Sequence, residues 1–388
     1  MSLDKPFKNL AILLSAAVFI EMGEKMGERF LPLYITALGG TALAVGFLNA
    51  ADNLLSAVYS LPGGWLSDRL GYKRSLVLFN LAAIAGYLVV IFFPSWKAAL
   101  LGAVFFISWS AVSLPAIMSA IARLLPFHKR TLGVSLHSLA RRVPMALGPV
   151  LGGFCVQYYG ERDGVRLAFG FALALAVIAL FLQHYFLEHV EPPEPAAGGV
   201  DLLRILRAAG PKLRRLLAAD ILIRFCEQIP YAFVVIWCVK DAKISPVAFG
   251  LLTALEMTVA VLIYIPVARM VEKTGRKKPY IAATFVFFTA FPLALLFSRT
   301  LPALAAAFAV RGLKEFGEPT RKALILDLSP ENGRAGAYGA YYFVRDAVVA
   351  LAAFGGGFLW EASPRANLLT AFAFGVLGTA YFLLRCED

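Results

Sequence analysis

The sequence predicts an all-α integral membrane protein of twelve transmembrane helices, arranged as two pseudo-symmetric six-helix bundles. Three observations carry this. The first is composition: of 388 residues, 60% are hydrophobic and only 16% charged, with a mean hydropathy of +0.72. Soluble domains carry about 45–50% apolar and about 25% charged residues. The second is a succession of apolar runs, most near the ~20 residues that a helix needs to cross a bilayer. The third is an internal repeat. Disorder is excluded by the hydrophobicity, and transmembrane strands by the lack of alternating segments of about ten residues.

The runs place helices at about 8–38, 42–66, 75–94, 97–124, 132–158 and 165–186. A second set falls at about 216–240, 246–270, 279–298, 301–326, 334–360 and 366–384. The chain runs from Met1 straight into a charged first helix, so no removable signal peptide is expected. Basic residues test the count. With both termini and the even-numbered turns on one side, that side collects twenty of the 37 lysines and arginines and the other side seven. The positive-inside rule then makes both termini cytoplasmic. This assigns the net charge of +12 mainly to inner-face loops, and no nucleic-acid partner is expected.

Between the two sets lies Glu191-Pro-Pro-Glu-Pro-Ala-Ala-Gly-Gly199, which proline and glycine keep from forming a helix. Residues 201–215 follow as a basic amphipathic stretch, read as a tether on the anionic inner leaflet or as a lipid-sensing helix. The expected organisation is a bundle over 1–190, a cytoplasmic linker over 191–215 and a bundle over 216–388.

A shift of 204 residues pairs Gly46 with Gly250, Asp52 with Glu256, Pro62 with Pro266 and Asp68 with Glu272. It also pairs Gly71 with Gly275, Arg141 with Arg345, and Gly152-Gly153-Phe154 with Gly356-Gly357-Phe358. The first helix of each half follows a shift of 199 instead, which pairs Glu21 with Asp220 and Glu28 with Glu227. Two copies of a six-helix unit explain both shifts.

Between the second and third helices stands Gly64-Trp-Leu-Ser-Asp-Arg-Leu-Gly-Tyr-Lys-Arg74, with a degenerate copy at Ala268–Lys278. This resembles the loop signature of the major facilitator superfamily. Gly148-Pro-Val-Leu-Gly-Gly153 is similar to the end of a motif in that superfamily's proton-driven exporters, without the longer upstream glycine spacing. Glu28-Arg29-Phe30 with Tyr34 resembles a first-helix stretch of proton-coupled peptide transporters. Here, however, Lys25 stands at that stretch's first glutamate, and Pro32-Leu33 displaces its tyrosine pair. The resemblance implies a latch on the inner face, built from Gly64, Asp68, Arg69, Gly71, Lys73 and Arg74 with Glu272 in the second copy. In physical terms, Asp68 ends a helix where a neighbouring dipole or arginine can meet it, and Gly71 permits a tight reversal.

Charges inside the helices are costly in lipid, about 2.5–3.5 kcal/mol each on insertion scales, so they must face water or one another. The first helix carries Glu21, Glu24, Lys25, Glu28 and Arg29, and the tenth Arg311, Lys314, Glu315, Glu318, Arg321 and Lys322. Helical spacing sets each group on one stripe. The seventh adds Arg224 and Glu227, the second and eighth Asp52 and Glu256, and the fifth and eleventh Arg141 and Arg345. One reading is internal ion pairs, such as Arg311–Glu315 and Glu318–Lys322 at i, i+4. The other is a substrate and proton site, and the resemblance implies that helices one, four, seven and ten line it. The fourth offers only Ser108, Ser110, Ser113 and Trp109. Arg141 and Arg345 fit either an anion grip or a gate.

The four histidines do not cluster with cysteines or carboxylates at ligand spacing, the four cysteines show no CxxC pair, and no phosphate-binding P-loop is present. The expected protein is therefore no enzyme and takes no cofactor beyond a proton gradient. It is a monomeric secondary transporter of a small-molecule solute, with the lipid bilayer as its other partner. A passive facilitator of an organic anion, or a non-transporting sensor on the same fold, are the alternatives.

Overall fold

Every regular element of the computed structural model is helical among the described residues, 5–107, 109–124, 130–187, 210–329 and 334–386. α1 (Lys5–Glu28) and α2 (Leu31–Ala37) form the first span, and α3 (Ala42–Phe92) holds the second and third. α4 (Trp96–Phe106) and α5 (Trp109–Leu124) form the fourth, while α6 (Arg130–Phe181) holds the fifth and sixth. The seventh is α7 (Pro211–Gln228), continued by short irregular turns to Asp241. α8 (Pro246–Thr274) and α9 (Lys278–Phe297) are the eighth and ninth spans. The tenth is α10 (Leu301–Leu313) with α11 (Glu318–Asp327), and α12 (Arg334–Ala362) and α13 (Pro364–Arg385) complete the chain.

Nine stretches are long and apolar enough to cross a membrane among the described residues, one of them the 51-residue Leu136–Phe186, which holds two spans. The first and tenth spans fail that standard because each is charged and broken.

Two expected loops shrink to single residues. α3 reverses at Gly71 (φ 78°, ψ 159°) and α6 at Gly160 (φ 79°, ψ 175°), backbone states open to a residue without Cβ. The seventh span begins at Pro211, a favoured first-turn residue, five residues before its expected start. Lys212, Arg214 and Arg215 are exposed there while Leu213 and Leu216 are buried, so the end of the basic stretch is amphipathic. Residues 191–209, the rest of the expected linker, lie outside the described residues.

The repeat is written into the backbone. Gly71 and Gly275 share positive φ (78° and 63°), as do Gly39 and Lys243 (84° and 58°), both pairs at the 204-residue shift.

The chain divides into two compact units. Unit 1 comprises Met1–Gly40, Leu55–Ala197 and Ser245–Leu251; unit 2 comprises Thr41–Leu54, Gly198–Ile244 and Leu252–Asp388. Within unit 1, α1 lies along α6, with Gly152 against the Met26 carbonyl. Within unit 2, α7, α9 and α13 close around Leu216, Ile223, Phe285 and Phe382. Each unit also takes in the start of a helix from the opposite half of the sequence. In unit 1, Gly153 packs on Pro246 and Val247; in unit 2, Gly357 packs on Ala42 and Leu43. These contacts correspond residue for residue under the 204 shift, and in both a side chain on the glycine would collide with backbone.

Candidate functional site

Among the described residues, four spans are interrupted: the first at Arg29–Phe30, the fourth at Ile107, the seventh beyond Gln228 and the tenth at Lys314–Gly317. Pro32, Pro230 and Pro319 stand at three of these breaks, where they cannot donate a helical hydrogen bond. At the tenth-span break, Gly317 N donates instead to Thr284 Oγ1 at 2.5 Å. Irregular backbone at membrane depth is tolerated where protein buries it or where it lines a cavity. Helix charges flank three of these breaks, in the first, seventh and tenth spans.

In unit 2 they form a continuous chain of alternating sign. Arg311 Nε lies 3.4 Å from Glu256 Oε1, which Lys314 Nζ also meets at 3.2 Å. Lys314 donates to Glu227 at 2.9 Å, and Arg224 donates to the other Glu227 oxygen at 2.5 Å. Arg224 then meets Glu318 at 3.2 Å, and Arg321 donates to Glu318 through both Nη2 (2.5 Å) and Nε (3.0 Å). Arg321 also donates to Asp220, which accepts from Tyr341 at 3.0 Å and lies 3.6 Å from Arg345. Arg345 ends the chain on Asp346 at 2.7 Å. Arg321 and Asp220 are each 1% exposed. Charges this deep persist when each has opposite-sign partners in hydrogen-bond geometry.

One end of this chain borders a narrow cavity lined by Glu227, Arg311 and Lys314 and by Val234, Phe287, Phe288 and Phe291. It is narrow enough to admit little more than one water.

Unit 1 is simpler. Arg141 Nε lies 2.9 Å from Glu21 Oε1, and Lys25 donates to Glu24 at 3.0 Å and to Glu28. Arg29 is half-buried beside them. In unit 2, Asp52 is half-buried on α3, and its neighbour Asn53 donates to Gln228 Oε1 at 3.2 Å.

The structure corrects one expected pairing. Arg311 does not pair with Glu315, because the helix breaks after Leu313 and the i, i+4 register is lost; Glu256 takes its place. Lys322 reaches Glu318 only at 4.0 Å and is 47% exposed, so Arg321 and Arg224 hold that carboxylate. Arg141 and Arg345 each lie against an acid within their own unit. Asp220, Arg224, Lys314 and Arg321 also enter the site; the charge stripe on the tenth helix was the signal for the last two, the Arg224–Glu227 spacing for Arg224, and the repeat pairing with Glu21 for Asp220. Ser113 and Trp109 are buried, whereas Ser108 and the Ser110 side chain lie outside the described residues.

Of the latch residues, the Gly64 and Asp68 side-chain positions lie outside what is described. Arg69 stacks on Trp65 at 4.3 Å, Lys73 is half-buried and Arg74 exposed. Glu272 is exposed, and Lys277 of the second copy pairs with Asp327.

Among solved structures, the chain superposes on a peptide transporter of the POT type in complex with sulfate, with a TM-score of 0.78 at 16% identity over 99% of this chain and 97% of the other. The nucleoside transporter NupG (D323A mutant) gives 0.79 at 13% identity over 96% and 99%. These likenesses concern the fold. In sequence, the chain is 26% identical over 200 residues to the quinolone resistance protein NorA of Staphylococcus aureus, covering 50% of this chain and 49% of NorA. It is 23% identical over 193 residues to the uncharacterized MFS-type transporter YhcA of Bacillus subtilis, covering 49% of this chain and 36% of YhcA. The chain thus spans half or less of the length of the curated relatives it matches. The family model described as Major Facilitator Superfamily matches residues 13–226 and again 216–387. With the duplicated helical units, the repeated glycine contacts and the paired family matches in agreement, this integral membrane protein belongs to the major facilitator superfamily of transporters.

Proposed function

We propose that the protein is a secondary active transporter that moves a small organic solute by alternating access, driven by a proton gradient. The observation that supports this most is the buried alternating chain at the helix breaks. A carboxylate held there by lysine or arginine can exchange that partner for a proton, because desolvation penalises an unpaired charge. Glu24, Glu28, Asp52, Glu227 and Glu318 are the coupling candidates. In this reading the six-helix halves, 1–190 and 216–388, rock as bodies about the 191–215 linker, and the Gly64–Arg74 turn with Glu272 acts as an inner-face latch. Both termini face the cytoplasm across a bacterial inner membrane, and the working unit is a monomer.

The test is reconstitution into vesicles loaded with a pH dye, challenged with a solute panel that includes a quinolone and 5-aminolevulinic acid. Solute-dependent proton movement is expected in the native protein, and Glu28→Gln or Glu318→Gln abolishes it while the protein still folds. Unchanged coupled flux across the whole carboxylate set rules the coupling out. Equal counterflow with and without a pH gradient in the native protein identifies a passive facilitator.

A further inference from the structure

Arg311 is 5% exposed, yet its guanidinium makes one ionic contact, through Nε to Glu256 at 3.4 Å. No hydrogen-bond acceptor among the described residues meets either Nη nitrogen. Aromatic faces surround the group instead: Phe291 at 4.9 Å, Tyr231 at 5.6 Å and Phe308 at 5.7 Å from its carbon. Such faces offset part of the desolvation of a cation but offer its N–H groups no lone pairs. This arginine lines the cavity whose remaining wall is largely Val234, Phe287, Phe288 and Phe291. The other charges at the cavity are already engaged. Glu227 has one oxygen on Lys314 and the other on Arg224, and Lys314 is shared between Glu227 and Glu256.

We propose that the forked end of Arg311 receives the carboxylate of an aromatic organic acid, whose ring packs against Phe287, Phe288 and Phe291. Two parallel N–H donors match the two oxygens of a carboxylate, a geometry that neither an amine nor a lone carbonyl reproduces. A cationic solute gains nothing here, because the carboxylate it would need is doubly held. The cavity is too narrow for the ligand as it stands, so entry requires it to widen, and the flanking helices are already broken beyond Gln228 and at Lys314–Gly317. This inference rests on the transporter reading and names the solute class.

Equilibrium binding to the purified full-length protein in nanodiscs tests it, with no gradient applied. The probes are 1-naphthoate, phenylacetate and 4-phenylbutyrate, each against its amide and the corresponding amine. At least one acid is expected to bind ten-fold or more tightly than its amide, with the amine weaker still. Arg311→Gln brings that ratio to about one. Arg311→Lys, which keeps the charge and the balance of the chain, leaves an intermediate ratio, and Phe291→Ala weakens acid and amide alike. Equal binding of acid and amide by the native protein, no binding of any acid, or an unchanged ratio in Arg311→Gln overturns the proposal. Flux in matched vesicles keeps the two readings apart. Acid-selective binding without flux removes the transporter and leaves the site. Proton-driven flux of solutes lacking a carboxylate, without acid-selective binding, removes the site and leaves the transporter.

Discussion

Under the 199-residue shift, the Lys25–Glu28 pair on α1 becomes the Arg224–Glu227 pair on α7. Glu21 likewise becomes Asp220, and the arginine facing each, Arg141 or Arg345, follows the 204-residue shift. Both units thus keep the same two acid–base contacts, one within a helix and one between equivalent helices. They part at the fourth and tenth spans. Where the tenth carries Arg311, Lys314, Glu318 and Arg321, the fourth carries Ile107, Ser110, Leu114 and Ile117. Contacts shared by both copies belong to the common scaffold, whereas the charges of the tenth span are present in one copy alone. Unit 1 holds the Glu21–Arg141 pair and the Glu24–Lys25–Glu28 cluster, whereas unit 2 threads its pairs into one chain.

Substitutions can break this contrast. The largest effect is expected from Arg321→Met, which takes from Asp220 and Glu318 the arginine they share in the interior of unit 2 and leaves one buried negative charge in excess. An uncompensated buried charge of this kind costs about 3–5 kcal/mol, read as a loss of thermal or denaturant stability in detergent. Arg141→Met in unit 1 removes one partner of a single pair, on an arginine side chain that is 27% exposed. A smaller loss of about 1–3 kcal/mol is expected, the range for leaving one buried partner unsatisfied. Equal losses for the two variants would erase the distinction between chain and pair. The smallest effect is Asp327→Ala, which releases Lys277 at a surface where the partners are 57% and 31% exposed. Surface pairs contribute about 0–1 kcal/mol, so the unfolding midpoint should scarcely move.

Much of the fold was legible because a repeat constrains backbone and packing together. Gly71 and Gly275, or Gly152-Gly153 and Gly356-Gly357, stand out in sequence because only glycine fits those turns and contacts. The stripe of charges on the tenth helix was equally visible. The pairings were not, since Arg321 finds Asp220 across 101 residues and Lys314 finds Glu227 across 87. Local spacing favoured Arg311–Glu315, and one break in the helix overturned it. Pro230 and Pro319 hinted at their breaks, but the fourth span is interrupted at Ile107 with no proline beside it. The exchange of helix starts between units had a trace in the motif glycines, although nothing local named their partners.

The alternating chain also has an electrical consequence. Its five bases, Arg311, Lys314, Arg224, Arg321 and Arg345, balance its five acids, Glu256, Glu227, Glu318, Asp220 and Asp346. A single unbalanced charge carried across the membrane field requires about 2.3 kcal/mol per 100 mV. A charge-neutral chain displaced as a body requires almost none. In the proposed transport cycle, unit 2 therefore moves this balanced chain without working against the membrane voltage. In that proposed cycle, any voltage dependence of turnover reports the charge of the solute and of any protons moved with it, rather than that of the chain.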